Sequence, residues 1–173
     1  MTLQEVKRRF FAMRNGLLAD MLRKQCRLPH KLIFGLNLPQ IKEIAREAGE
    51  DPALGAELWA DAGCRESRLM APMVMPRNAE AYALAREAAT EEEADVLCHS
   101  LLRHCPDPVA AAVDLAADPR PMTRYCALRL LLNLQPEAAP EAAAVLESIE
   151  FNPVTDGVAR QLRQRLQEDA DDL

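Results

Sequence analysis

The sequence predicts an all-α fold, a single domain in which short antiparallel helix pairs stack into a curved αα-solenoid, and three observations carry that expectation. The 173 residues are rich in Ala, Leu, Glu and Arg, with 49% apolar but only 4% aromatic side chains and six glycines, which suits helices better than strands. Pro39, Pro52, Pro108, Pro121, Pro136 and Pro153 each precede a segment of roughly 10–15 residues with apolar positions at helical spacing, where a first-turn proline is tolerated. The links between segments are short, and helices on short links bury their apolar stripes against their neighbours in sequence. A chain of this length buries roughly two-thirds of its unfolded surface.

In order along the chain, the patterns predict helices near residues 2–14, 16–27, 39–48, 52–61, 65–75, 78–89, 91–104, 107–117, 121–134, 136–149 and 154–169. Helix starts are the best marked: Asp51-Pro52, Asp107-Pro108 and Asn152-Pro153 put an oxygen-bearing cap before a proline, and Thr90 with Glu93 forms a capping-box signature. Residues 28–38, LPHKLIFGLNL, form the longest link, and its apolar content predicts a loop packed down rather than a loose linker. Three regions follow: basic N-terminal helices and that loop over 1–38, a repeat stack over 39–150, and a C-terminal helix with a frayed acidic tail over 151–173.

Five cysteines, at 26, 64, 98, 105 and 126, are an odd number at apolar helix positions and read as reduced, mostly buried thiols. Cys98 and Cys105 would stand about 10 Å apart on one helix, too far to share a zinc ion with bonds of about 2.3 Å, so no metal is expected. No cofactor is expected either: there is no glycine-rich phosphate loop, no nucleophile elbow and no His-Glu-x-x-His helix. Cys64, just before a helix start, has no histidine beside it in sequence to make it a nucleophile. Without a long apolar run or a signal-type N-terminus, the expectation is a cytoplasmic monomer with no membrane partner.

Charge is unevenly distributed. Residues 1–47 carry ten Lys/Arg against four acids, whereas 48–173 carry eleven against twenty-three. Lys7, Arg8, Arg9, Arg14, Arg23, Lys24, Arg27 and Lys31 could follow a phosphate backbone, or could form a solvated face with its own counterions. Arg65 and Arg68, one turn apart, offer further phosphate contacts, with Glu57, Asp61 and Glu66 as nearer structural partners. Trp59 reads first as a packing residue and second as a stacking platform. Met70, Met73 and Met75 read as core filling.

Residues 34–75 add the order of a familiar architecture: an apolar loop, Pro39 opening a helix, Leu58-Trp59 closing the next, and Arg65-Glu66-x-Arg68-Leu69 starting a third. Together they resemble the HEAT-like repeats of the DNA alkylation repair family of glycosylases, and the resemblance extends more loosely over roughly residues 10–135. It implies double-stranded DNA held on a concave helical surface. It also implies catalytic roles for Asp95, as the family's aspartate, and Arg124, as the arginine across the groove, with Tyr125 beside it on the DNA. Such a carboxylate would stabilise positive charge developing on the sugar as an alkylated base leaves. Glu91 stands one turn before Asp95, where the family places an aromatic side chain, so DNA binding is the firmer implication and base excision the weaker. The run Glu91-Glu92-Glu93-Asp95 also reads as acids favoured at a helix N-terminus. The alternative is a noncatalytic HEAT-like scaffold whose concave face holds a protein or peptide.

Overall fold

The computed structural model describes residues 1–172, and the chain is helical throughout; among these residues the extended backbone pairs only at one isolated bridge, Leu32 with Cys64. It divides into two compact units, one from Met1 to Pro76 and the other from Arg77 onward.

The first unit holds α1 (Leu3–Ala12), α2 (Gly16–Lys24), α3 (Leu38–Ala48), α4 (Pro52–Ala60) and α5 (Arg65–Val74). Local chemistry sets their starts. Thr2 and Glu5 close a capping box on α1, Asn37 and Gln40 close another on α3, and the carboxylate of Asp51 accepts the amide of Leu54 ahead of Pro52. The second helix stops three residues short of its expected end, and Arg27 beyond it sits at φ +50°, a left-handed conformation that cannot continue a helix. Val6 and Phe10, one turn apart, bury the inner face of α1, and the Phe10 ring meets Phe34 with centroids 5.8 Å apart.

The loop 25–37 is packed down, as its composition predicts, and one carboxylate organises it. Glu66, fully buried in the first turn of α5, accepts the amides of Phe34 at 3.0 Å, Gly35 at 3.0 Å and Leu36 at 3.3 Å. Arg65 donates through Nη1 both to Glu66 at 2.9 Å and to the carbonyl of Leu36 at 2.9 Å. Gly35 turns these amides inward at φ +81°, and a Cβ there would stand 2.1 Å from the carbonyl oxygen of Asn15.

The second unit holds α6 (Glu91–Ser100), α7 (Pro108–Ala116), α8 (Pro121–Asn133), α9 (Ala139–Ser148) and α10 (Asp156–Asp171). The eighth helix is the hub: it packs against α6, α7, α9 and α10, and buries Tyr125, Cys126, Ala127, Leu128, Leu130 and Leu131. Two expected helices are corrected. Residues 79–86 wind as a 3₁₀ helix, whose i and i+3 side chains eclipse; AEAYALAR places an alanine in every such pair and so removes the crowding that shortens most 3₁₀ runs. The segment 91–104 breaks at Leu101 (φ −127°, ψ −65°) and ends in a 3₁₀ turn, Leu102–His104. Asp107 makes no side-chain cap bond because its backbone is left-handed, at φ +50°. Asn152 bonds the amide of Val154 in a local turn, and α10 starts at Asp156.

All five cysteines are free, four are buried and Cys26 is exposed. Burial raises the thiol pKa of Cys64 and Cys105, and the hydrogen bond with Cys126, together with burial, raises that of Cys98. Titrating the folded protein with a thiol-specific chromogenic disulfide should therefore give one fast equivalent per chain, lost in Cys26→Ser; two or more fast equivalents would contradict the buried assignment. Glu66→Ala strands two buried amides and one half-buried amide together with the Arg65 guanidinium, and should cost roughly 3–5 kcal/mol in urea unfolding followed by circular dichroism. A loss below about 1 kcal/mol would remove Glu66 from its central role.

Candidate functional site

Asp95 lies on the outer part of α6, and Tyr125 and Arg129 stand one turn apart on α8, so the packing of these two helices brings the three side chains together. The hydroxyl of Tyr125 donates to Asp95 Oδ1 at 2.7 Å, Arg129 Nε lies 2.8 Å from the same oxygen, and Arg129 Nη2 donates to the Tyr125 hydroxyl at 3.3 Å. Tyr125 is buried, and burial pushes its phenol well above the ordinary range, with the Asp95 carboxylate adding to the effect. Burial pulls the Arg129 guanidinium down, but the Tyr125 hydroxyl and the charge of Asp95 outweigh it and hold the proton more firmly. The Asp95 side chain itself stays 43% exposed.

That carboxylate borders a polar cleft of about 360 Å³ lined also by Glu91, Asp156, Arg160 and the turn leading into α10. The volume lies within the range of small-ligand sites. Three carboxylates and two arginines line it; Asp95 pairs with Arg129 at 2.8 Å and Asp156 with Arg160 at 3.1 Å, so the lining carries an excess of one carboxylate, that of Glu91.

Arg124, expected to act with Asp95, lines a different hollow. Its Nε donates to the carbonyl of Asp118 at 2.7 Å, and it borders a mostly apolar groove of about 490 Å³ with Val113, Glu141, Val145 and Ile149. Beside it, the guanidinium of Arg120 holds the carboxyl of Asp118 well below the usual carboxylate range, with Arg86 assisting. The arginine that reaches Asp95 is Arg129, which sequence reasoning missed. The available signal was a lone cation inside the apolar run YCALRLLL, which must find a partner when its helix is buried. Tyr125, expected on a DNA-facing surface, is instead the buried link between Asp95 and Arg129.

Arg65 and Arg68, expected as phosphate contacts, are also interior residues. Arg65 serves Glu66 and Leu36, while Arg68 donates to the carbonyl of Trp59 at 2.7 Å and lies 3.5 Å over the Trp59 ring. Trp59 is correspondingly buried, as the packing reading holds. Of the N-terminal cations, Lys7 pairs with Asp61 at 2.8 Å and Arg9 forks onto Glu47. Arg8, Arg14, Arg23, Lys24, Arg27 and Lys31 are exposed. Among the described residues, no group of three or more His, Cys, Asp or Glu side chains is placed to hold a metal ion.

A double-mutant cycle between Tyr125→Phe and Asp95→Asn should show coupling of about 1 kcal/mol in thermal unfolding, since a buried hydroxyl faces a half-exposed charge. Additive losses would mean that the hydroxyl does not position the carboxylate. Comparison with models of protein families, with curated proteins and with solved structures finds no match to this chain.

Proposed function

We propose that the protein is of the DNA alkylation repair type: a curved stack of HEAT-like helix pairs that binds duplex DNA, with base excision secondary to binding. The observation that carries this reading is the Asp95 carboxylate, fixed by Tyr125 and Arg129 at the edge of an open polar cleft. An alkylated purine is cationic, and a cleft with an excess of one carboxylate suits a positive charge on a base or on the sugar it leaves. The exposed cations of the first unit, Arg8, Arg14, Arg23, Lys24, Arg27 and Lys31, supply the phosphate-neutralising charge that sequence-independent binding requires.

Base excision is placed second for two reasons. Arg129 already neutralises much of the charge that Asp95 would offer a transition state. Among the residues that line the cleft the one aromatic side chain is Tyr125, which is buried, and Glu91 stands where a stacking face would be needed. The second reading, a noncatalytic HEAT-like scaffold for a protein or peptide, is favoured by the apolar groove along Val113, Ala116, Val145 and Ile149.

Fluorescence anisotropy with a short duplex, undamaged or carrying an abasic-site analogue, separates the readings. The DNA reading expects binding that favours the abasic duplex and weakens steeply with salt. Arg14→Gln with Arg23→Gln should lower affinity and shallow the salt slope by about 1 for each phosphate no longer neutralised. Asp95→Asn should leave binding to undamaged duplex unchanged. No binding at low salt would overturn the DNA reading and direct the search to peptides for the apolar groove.

A further inference from the structure

The corner between α1 and α2 gathers side chains that water does not favour. Leu17 is 85% exposed, Phe11 56%, Met21 42% and Leu32 38%. Leu17 and Met21 lie one turn apart on α2, on the side away from the buried Ala19 and Leu22. Phe11 and Leu32 border a hollow of about 340 Å³ together with Arg14 and Arg23, and the Arg14 guanidinium lies 3.8 Å over the Phe11 ring. The same stretch, residues 8–31, carries seven Lys/Arg and a single acid, Asp20. Leu17, Met21 and Lys24, at i, i+4 and i+7, share the outer face of α2, and the hollow with Phe11, Leu32, Arg14 and Arg23 runs along the flank of the same helix formed by Gly16, Ala19 and Asp20.

We propose that this corner is a peripheral docking surface for anionic membranes, with Leu17, Met21 and Phe11 entering the headgroup–acyl boundary and Arg14, Arg23 and Lys24 meeting lipid phosphates. DNA and an anionic membrane both carry the needed negative charge and would compete for these cations, but only the membrane also engages the apolar groups. A DNA backbone rewards the cations alone and gains nothing from a leucine and a methionine held in water. An anionic lipid interface rewards both kinds of group at once. Among the described residues no helix is long and apolar enough to cross a membrane, so the contact lies on the surface. The expectation of no membrane partner rested on the lack of a spanning segment, which does not bear on a surface contact of this kind. This inference does not depend on the DNA reading.

Cosedimentation of the full chain with vesicles of phosphatidylcholine alone, and of an equimolar phosphatidylcholine and phosphatidylglycerol mixture, tests it. The expected result is partitioning onto the mixed vesicles only. The double variant Leu17→Ser with Met21→Ser should lower that partitioning about tenfold, with an unchanged circular dichroism spectrum and unchanged duplex binding. Arg23→Gln with Lys24→Gln should weaken vesicle binding as well. No partitioning onto the mixed vesicles would overturn the proposal. Partitioning insensitive to Leu17 and Met21 would also overturn it, since it would leave only a coulombic contact of the kind DNA makes.

Discussion

The first unit depends on a single buried carboxylate. Burying an ionised group is costly unless its charge is paired and its lone pairs are filled, and Glu66 meets both conditions through Arg65 and three successive amides. The first turn of α5 adds its own favourable field for a negative charge. Those amides belong to the loop that precedes α3, and Gly35 within it lies against the backbone of Asn15, the cap of α2. The junction of α1 and α2, the loop and the start of α3 are therefore referenced to one side chain. The parallel bridge at Leu32 and Cys64 fixes the same loop from its other end, with Leu32 donating to Gly63 and Arg65 donating back to Leu32.

The second unit uses the same pair of groups, an arginine and a carboxylate, to a different end. There Asp95 and Arg129 lie at the edge of α6 and α8, where solvent reduces the strength of their attraction and both remain within reach of a ligand. The Tyr125 hydroxyl fixes the carboxylate from below, so its orientation does not rest on a solvent-exposed ion pair alone. In one unit the pair anchors backbone; in the other it presents an oriented charge to a cleft.

Where the sequence was legible, the responsible interactions were local. Asp51 and Thr90 cap the helices they precede, because a cap and its amide lie within three residues. The same logic failed at Asp107, where the backbone turns left-handed, and at Asn152, whose side chain closes a turn instead of a helix. It failed again over residues 79–86, where small side chains permit a tighter winding that apolar spacing cannot distinguish from an α-helix. The interior roles of Arg65, Arg68 and Glu66 join residues nine to about thirty positions apart, beyond the reach of any periodicity. For the candidate site, the family resemblance singled out Asp95, Arg124 and Tyr125, but pairing Asp95 and Tyr125 with Arg129 requires knowing how α6 lies on α8.

The distribution of aromatic residues has an optical consequence. The only tryptophan, Trp59, lies inside the first unit beneath a guanidinium, while both tyrosines, Tyr82 and Tyr125, belong to the second. Indole emission therefore reports the first unit alone, and the near-ultraviolet dichroism of the phenols reports the second. The protein carries a separate chromophore for each half, and two wavelengths suffice to tell whether the halves lose their structure together or in sequence.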